Sequence, residues 1–329
     1  MRILIVKLSS LGDVVHAMPA VQDIRSAFPD VTIDWVVERG FAPLVRRCHG
    51  VQGVIACELR RWSKSPLSAQ TRHEWRTFRR ELRGPLYHAV IDLQGLTKSA
   101  LVARAARLLP GGKRYALANQ TDGAGYEAPT RWVADVAIRI QPHVHAVTRS
   151  RELCARALGF APEAAVHYGL QLDAAPLAVG APRRIAFLHG TSRDDKCWPE
   201  ASWIALARRL VAQGFTIGLP HGSDDELDLG ERIAHAVGPA AQVWPRLDLG
   251  QLTDRLGACA GAIGVDSGLS HIAVALDLPH VQIYNFDTAW RTGPLRAGDG
   301  PQRQLAVYAE PTPSVDDVWR AWEQARTAS

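Results

Sequence analysis

No stretch of this chain reaches the roughly 18 uninterrupted apolar residues that a membrane span requires. The first apolar run, Ile3-Leu4-Ile5-Val6, is cut short by Lys7, which argues against a secretory signal, so a cytoplasmic protein is expected. Cysteine is sparse: Cys48, Cys57, Cys154, Cys197 and Cys259 include no Cys-x-x-Cys pair, and neither a disulfide framework nor a zinc site follows from them. Acidic residues are short in the front half. Residues 1–160 hold 24 Lys and Arg against 13 Asp and Glu, a net +11, whereas the remainder holds 14 against 20, a net −6. A basic half fits nucleic acid, a membrane surface or an anionic substrate, and composition does not choose among them.

What is present is ample apolar material, 47% of 329 residues, enough for two cores on a prior of about 150 residues per domain. The chain opens as strand, loop and helix. Ile3–Val6 lacks alternation, as a strand covered on both faces does, and Val15, Met18 and Val21 follow at near-helical spacing. Between them lies Lys7-Leu8-Ser9-Ser10-Leu11-Gly12-Asp13, at the carboxyl end of a strand, where open α/β sheets bind ligands. Asp13, its one acid, reads equally as a helix cap.

Further strands are expected at 32–37, 51–57, 88–94 and 113–117, with an exposed basic loop at Glu58–Pro66 and a mobile loop at 119–129. From Thr71 to Arg83 the spacing predicts a helix that aligns Arg72, Arg76, Arg79, Arg80 and Arg83, with Trp75, Phe78 and Leu82 on a docking face. Such a stripe is either a solvated face or an anion-binding surface, for which anionic lipid is one candidate. Lys98 opens a helix that runs on through Leu108, at the same sheet edge as Asp13.

An Ala-, Pro- and Gly-rich connection at 161–182 separates a second run of strands and helices. Its first loop carries Thr191, Ser192 and Lys196, which offer hydroxyl and backbone donors and a cation to a diphosphate, although no Walker sequence is present. Glu226, in an acidic first turn, suits a ribose hydroxyl pair or simply the helix dipole. Asp266-Ser267-Gly268-Leu269-Ser270-His271 joins an apolar strand to a helix with little side-chain bulk in the way.

Leu8-Ser9-Ser10-Leu11-Gly12-Asp13 with His16 and Pro19, His189-Gly190-Thr191-Ser192-Arg193-Asp194-Asp195-Lys196 with Trp198-Pro199-Glu200, and Asp266-Ser267-Gly268-Leu269-Ser270-His271 together resemble the ADP-heptose:lipopolysaccharide heptosyltransferases. Ile91-Asp92-Leu93-Gln94-Gly95-Leu96 and His145-Ala146-Val147 extend the likeness over the chain. The resemblance implies an α/β GT-B glycosyltransferase fold, with two Rossmann-like domains facing across a cleft. It divides the chain into an acceptor domain at 1–165, an ADP-sugar domain at 166–310, and a C-terminal helix, 311–329, crossing back to the first domain.

By that resemblance the reaction is inverting, metal-independent transfer of heptose from ADP-L-glycero-β-D-manno-heptose to a hydroxyl of Kdo on lipid A, with no cofactor. Asp13 would be the general base, and Lys196 would stabilise the departing ADP. Thr191, Ser192, Lys196, Glu226, Leu247, Asp266, Ser267, Gly268 and His271 would bind the donor. Ser10, Gly12, Arg60, Arg61, Lys64 and Lys98 would meet the acceptor. Arg72, Arg76, Arg79, Arg80 and Arg83 would face the anionic inner-membrane surface, making the protein a peripheral one; a monomer is expected. The flexible loop departs from the family at Tyr126-Glu127-Ala128-Pro129, where an arginine before Glu-Pro is usual. Another transferase of this fold with a different acceptor or nucleotide sugar is the nearer alternative. A basic nucleic-acid-binding protein is the more distant one, since no reader motif is present.

Overall fold

The structure is a computed structural model that describes residues 1–173, 183–295 and 302–328. It divides into two compact units, Met1–Gln171 and Leu172–Ser329. The first boundary falls slightly beyond the expected 165 because Cys48 bridges Leu170 and the Gln171 N–H bonds the Arg47 carbonyl at 2.9 Å. Most of the expected 161–182 connection, 174–182, lies outside the described residues.

The first unit runs β1 Arg2–Val6, α1 Leu11–Ala27, β2 Thr32–Glu38, α2 Ala42–Val45, β3 Val51–Cys57, α3 Leu59–Lys64, α4 Ala69–Arg83, β4 Leu86–Asp92, α5 Thr97–Ala105, β5 Arg107–Leu117, α6 Pro129–Val133, β6 Val136–Ile138 and α7 Ala146–Leu158. Its six strands are parallel in the order β3-β2-β1-β4-β5-β6. Ile3 to Val6 are wholly buried, as an unalternating central strand requires. The unit's helices α1 and α7 are locked by Arg151, whose Nε and Nη2 donate to the Asp23 carboxylate at 2.6 and 2.8 Å.

The second unit runs β7 Arg184–Leu188, α8 Glu200–Ala212, β8 Thr216–Leu219, α9 Asp224–Val237, β9 Ala241–Val243, α10 Leu249–Gly257, β10 Gly261–Val265, α11 Gly268–Ala275, β11 His280–Tyr284, α12 Ala289–Thr292, β12 Gln304–Tyr308 and α13 Val315–Thr327. Its six parallel strands take the order β12-β11-β10-β7-β8-β9. In both sheets the order therefore reverses between the unit's first and fourth strands, and that switch point is where a doubly wound sheet opens a crevice for ligand.

Three expectations change. Glu58–Pro66 is not a loop: α3 forms within it because Trp62 is buried at 5% exposure and anchors a helical turn. The helix expected through Leu108 stops at Ala105, and the following strand starts at Arg107, with Pro110, Gly111 and Gly112 absorbed as an irregularity opposite Tyr87 and Ala89. A Cβ on Gly112 would lie 2.7 Å from the Tyr87 carbonyl oxygen, so only glycine lets the strands stay paired there.

Trp75 is 43% exposed rather than docked; its ring packs on Trp62 at 5.6 Å, while Phe78 and Leu82 carry the burial. The C-terminal helix α13 buries Val318, Trp322 and Ala325 in the second unit's core with Phe187, Trp203 and Phe215. Trp322→Ala should therefore destabilise the second unit by about 3–5 kcal/mol. Denaturant unfolding of the full chain checks this; a loss below about 1 kcal/mol would remove α13 from that core.

Candidate active site

At the first switch point β1 and β4 lie side by side, with Val6 opposite Asp92. Ser10 caps α1, and Asp13 sits one turn in, its Oδ2 accepting from the Ser10 N–H at 3.3 Å and the Ser10 hydroxyl at 3.2 Å. Asp13 thus does help close the helix end, as the partner of the capping residue. Its other oxygen faces two cations: Lys7 Nζ at 3.6 Å and Arg149 Nη2 at 3.5 Å.

Both cations are buried, whereas 34% of the Asp13 side chain is open, enough for a substrate to reach it. Burial pushes the Asp13 carboxyl up, but the Lys7 and Arg149 charges and the Ser10 hydrogen bonds outweigh it and hold the group below the usual carboxylate range. Burial pulls Lys7 down. The result is an ionised, fixed, reachable carboxylate.

Sequence reasoning assigned no role to Lys7, Asp92, Gln94 or Arg149. Asp92 is 2% exposed and accepts from the Gln94 and Gly95 N–H groups at 2.9 and 3.2 Å and from the Ser99 hydroxyl at 2.9 Å. Burial raises its carboxyl to about 6 despite those bonds. An acid ending an apolar strand at the carboxyl edge was the available signal. For Arg149, on α7 and far along the chain, no local signal exists.

Of the residues expected to meet the acceptor, Ser10 is exposed, Gly12 half-buried in the first turn of α1, and Lys98 half-buried in the first turn of α5. Glu38, at the end of β2, has its carboxyl raised by burial, opposed by Lys98 and by Arg60. Lys98 and Arg60 therefore share one neighbourhood at this edge, while Lys64 is exposed at the end of α3. Arg61 is the exception. Its guanidinium holds Glu58 at 2.5 Å and also Glu74, and the Trp62 indole N–H donates to Glu74 at 2.8 Å, which takes that carboxyl down to about 2. Arg61 joins α3 to α4 through these carboxylates.

Arg72, Arg76, Arg79, Arg80 and Arg83 are all exposed on α4. Four of them, with Arg107, line a shallow groove of about 650 Å³. The 119–129 loop is tied down: Tyr126 donates to the Ala118 carbonyl at 2.9 Å, the Glu127 N–H bonds Gly95 O at 2.9 Å, and the Glu127 carboxylate accepts from the Thr97 N–H at 2.7 Å. Tyr126 and Glu127 thus fasten to the unit itself the segment expected to be mobile.

At the second switch point β7 and β10 are neighbours. Lys196 Nζ lies 2.5 Å from Asp266 Oδ2, and Asp266 Oδ1 is 3.6 Å from His271 Nε2, so three expected donor residues meet. Gln282 and Thr292 approach the same oxygen, each at 3.4 Å. Ser267 Oγ is buried without a partner at the start of α11. That helix comes close because β10 is thin: a Cβ on Gly264 would sit 2.4 Å from Ser270 Oγ.

Glu226 Oε2 accepts from the Gly222 N–H at 2.6 Å, and its carboxyl carbon would lie 2.3 Å from a Cβ on Gly190, which precedes Thr191. The ribose and phosphate candidates are thereby adjacent. Thr191 is half-buried and Ser192 exposed on the same loop, and Leu247 is half-buried just ahead of the α10 cap, Asp248. Asn285, unassigned from sequence, holds this loop by donating to the Asp195 and Cys197 carbonyls at 2.9 and 3.0 Å. Among the described residues no group of three or more His, Cys, Asp and Glu side chains could hold a metal ion, and no helix is long and apolar enough to cross a membrane.

The family model for glycosyltransferase family 9 (heptosyltransferase) matches residues 75–315. Lipopolysaccharide heptosyltransferase 1 of Escherichia coli K12 is 38% identical over 290 residues, covering 86% of this chain and 88% of that protein. Its counterpart in Pseudomonas aeruginosa is 39% identical over 289 residues, covering 86% and 78%. Among solved structures, E. coli heptosyltransferase WaaC with ADP superposes with a TM-score of 0.86 at 32% identity, covering 99% of this chain and 100% of that one. WaaC with ADP-2-deoxy-2-fluoro heptose gives 0.82 at 32% identity, covering 98% and 99%.

Proposed function

Because this chain belongs to glycosyltransferase family 9, the heptosyltransferases, we propose that it transfers heptose from ADP-L-glycero-D-manno-heptose to the inner Kdo of Kdo-primed lipid A, the reaction of heptosyltransferase I. The observation that carries the chemistry is Asp13, ionised between Lys7 and Arg149, yet one-third open. The acceptor hydroxyl gives its proton to the Asp13 carboxylate, and its oxygen forms the bond to heptose C1. The bond from C1 to the phosphate oxygen breaks, and ADP leaves with the electron pair. A base on one side and a leaving group on the other make the displacement inverting.

Lys196 supplies positive charge to the departing ADP, with Thr191 and Ser192 as further donors at the diphosphate. Glu226 takes the ribose hydroxyls, Leu247 lies near the adenine, and Asp266, Ser267, Gly268 and His271 hold the sugar and its phosphates. Arg60, Lys64 and Lys98, with Ser10 and Gly12, meet the carboxylate and phosphate groups of the acceptor. ADP-heptose with the β linkage should yield an α-linked product, read from the anomeric NMR signal. A β-linked product would overturn the displacement.

The arginine groove on α4 supports peripheral attachment to the cytoplasmic face of the inner membrane. At about 1 kcal/mol per charge near an anionic surface, reversing Arg76, Arg79 and Arg80 to Glu should weaken binding to phosphatidylglycerol-containing vesicles at least about a hundredfold. Turnover of a short soluble acceptor should stay normal. Unchanged vesicle binding in low salt would return these arginines to a solvated face.

A further inference from the structure

Where β1 ends, two backbone N–H groups leave the sheet ladder without a carbonyl to receive them. Both belong to buried residues, Leu8 at 0% and Ser9 at 6% exposure, and both donate to a single atom, Gln94 Oε1, at 2.9 and 3.0 Å. Two donors on that atom identify it as the carboxamide oxygen. Gln94 is itself fixed from behind, since its backbone N–H donates to Asp92 Oδ1 at 2.9 Å. The residue before it, Leu93, accepts from Lys7 Nζ at 3.1 Å. The turn after β4 therefore grips the Asp13 loop twice: through Lys7, whose charge faces Asp13 Oδ1, and through the Leu8–Ser9 peptides, which lead into Ser10, whose N–H and hydroxyl hold Asp13 Oδ2.

We propose that Gln94 is a positioning residue for the transfer reaction, its side-chain oxygen setting the path of the Leu8–Ser10 backbone and with it the aim of the Asp13 carboxylate. The inference rests on Asp13 acting as the base. Gln94 sits in the turn that leaves the neighbouring strand β4 and is half-buried, so it transmits the geometry of the rigid sheet to a loop that α1 alone would leave with two unmet N–H groups. Losing that acceptor frees the loop to shift, and an ångström of error at a reacting atom is worth about a hundredfold in rate. The Nε2 end of the carboxamide has no part in this argument, which makes an acid of the same length a faithful substitute.

The test is a double-mutant cycle in the full-length protein, following ADP release from ADP-heptose with Kdo-primed lipid A and measuring ADP affinity by titration. Gln94→Met should lower kcat by about ten- to a hundredfold while ADP affinity stays within about twofold. Gln94→Glu, which keeps an oxygen for both N–H groups, should recover most of that loss. In an Asp13→Asn background Gln94→Met should cost less than about threefold, because the base it aims is gone. The same loss in both backgrounds, or a Gln94→Glu variant as slow as Gln94→Met, would overturn the positioning role and leave Asp13 untouched. Near-normal turnover in Asp13→Asn alone would sink the base assignment instead. Should Gln94→Met fail to fold, Gln94→Asn, which retains the carboxamide one methylene short, takes its place in the cycle with the same non-additivity expected.

Discussion

Asp13→Asn is expected to bind ADP as the unaltered protein does and to turn over at least about a hundredfold more slowly, the scale a general base supplies. Asparagine keeps the size and an acceptor oxygen, so the Ser10 contacts survive and the helix end stays closed. What disappears is the negative charge between Lys7 and Arg149. The proposed donor residues belong to the other unit, which is why ADP affinity is the internal control.

The pH dependence has a definite sign. Only the ionised carboxylate accepts a proton, and Asp13 is held below the ordinary value of 3.8, so acidification through the weakly acidic range does not disarm it. Lys7→Met removes one of the opposing charges and leaves burial less balanced. The Asp13 carboxyl then rises, and the acidic limb of kcat should move toward neutral pH. An acidic limb that stays in place would mean that Lys7 does not control this group.

Lys196→Gln carries the second large effect. Loss of a cation aimed at a leaving group costs about a hundred- to a thousandfold in turnover, on the scale of a removed oxyanion donor. This substitution also leaves Asp266, only 6% exposed, without the ammonium that lies 2.5 Å away. An uncompensated buried carboxylate is destabilising by about 3–5 kcal/mol, less whatever solvent reaches the pair through Lys196, whose side chain is 19% exposed. The single variant therefore confounds chemistry with folding. Comparing the Lys196→Gln/Asp266→Asn double variant with Asp266→Asn alone separates them: the two should be about equally stable, and the double variant should still turn over far more slowly. Equal turnover along with equal stability would reduce Lys196 to a structural partner of Asp266.

The doubly wound architecture was legible where physics acts locally. The central strands β1, β4, β7 and β10 read as strands because a sheet covered on both faces demands unbroken apolar runs. Their loops read as sites because each joins such a run to a helix through Ser, Gly and Asp. Short edge strands such as β6 and β12 carry no such run and were missed.

Partner choice was the other loss. A basic cluster at 60–64 gives no hint that Glu58 and Glu74 take Arg61, because the pairing depends on how α3 lies against α4. Amphipathic spacing in α13 shows that one face is buried but not against which residues, and the packing of Trp322 with Phe187, Trp203 and Phe215 appears only in the folded chain. Lys196 and Asp266 were both picked out for a diphosphate and a sugar, yet their bond spans 70 residues and appears only in the folded chain. Gln94 was visible only as one letter of a motif; its two hydrogen bonds reach back 86 and 85 residues.

The most direct test of the account is ADP release from ADP-heptose with two acceptors compared side by side: Kdo-primed lipid A, and the same lipid already carrying its first heptose. Turnover with the first acceptor and little with the second is the predicted result. Preference for the heptosylated acceptor, or no turnover with either, would contradict it.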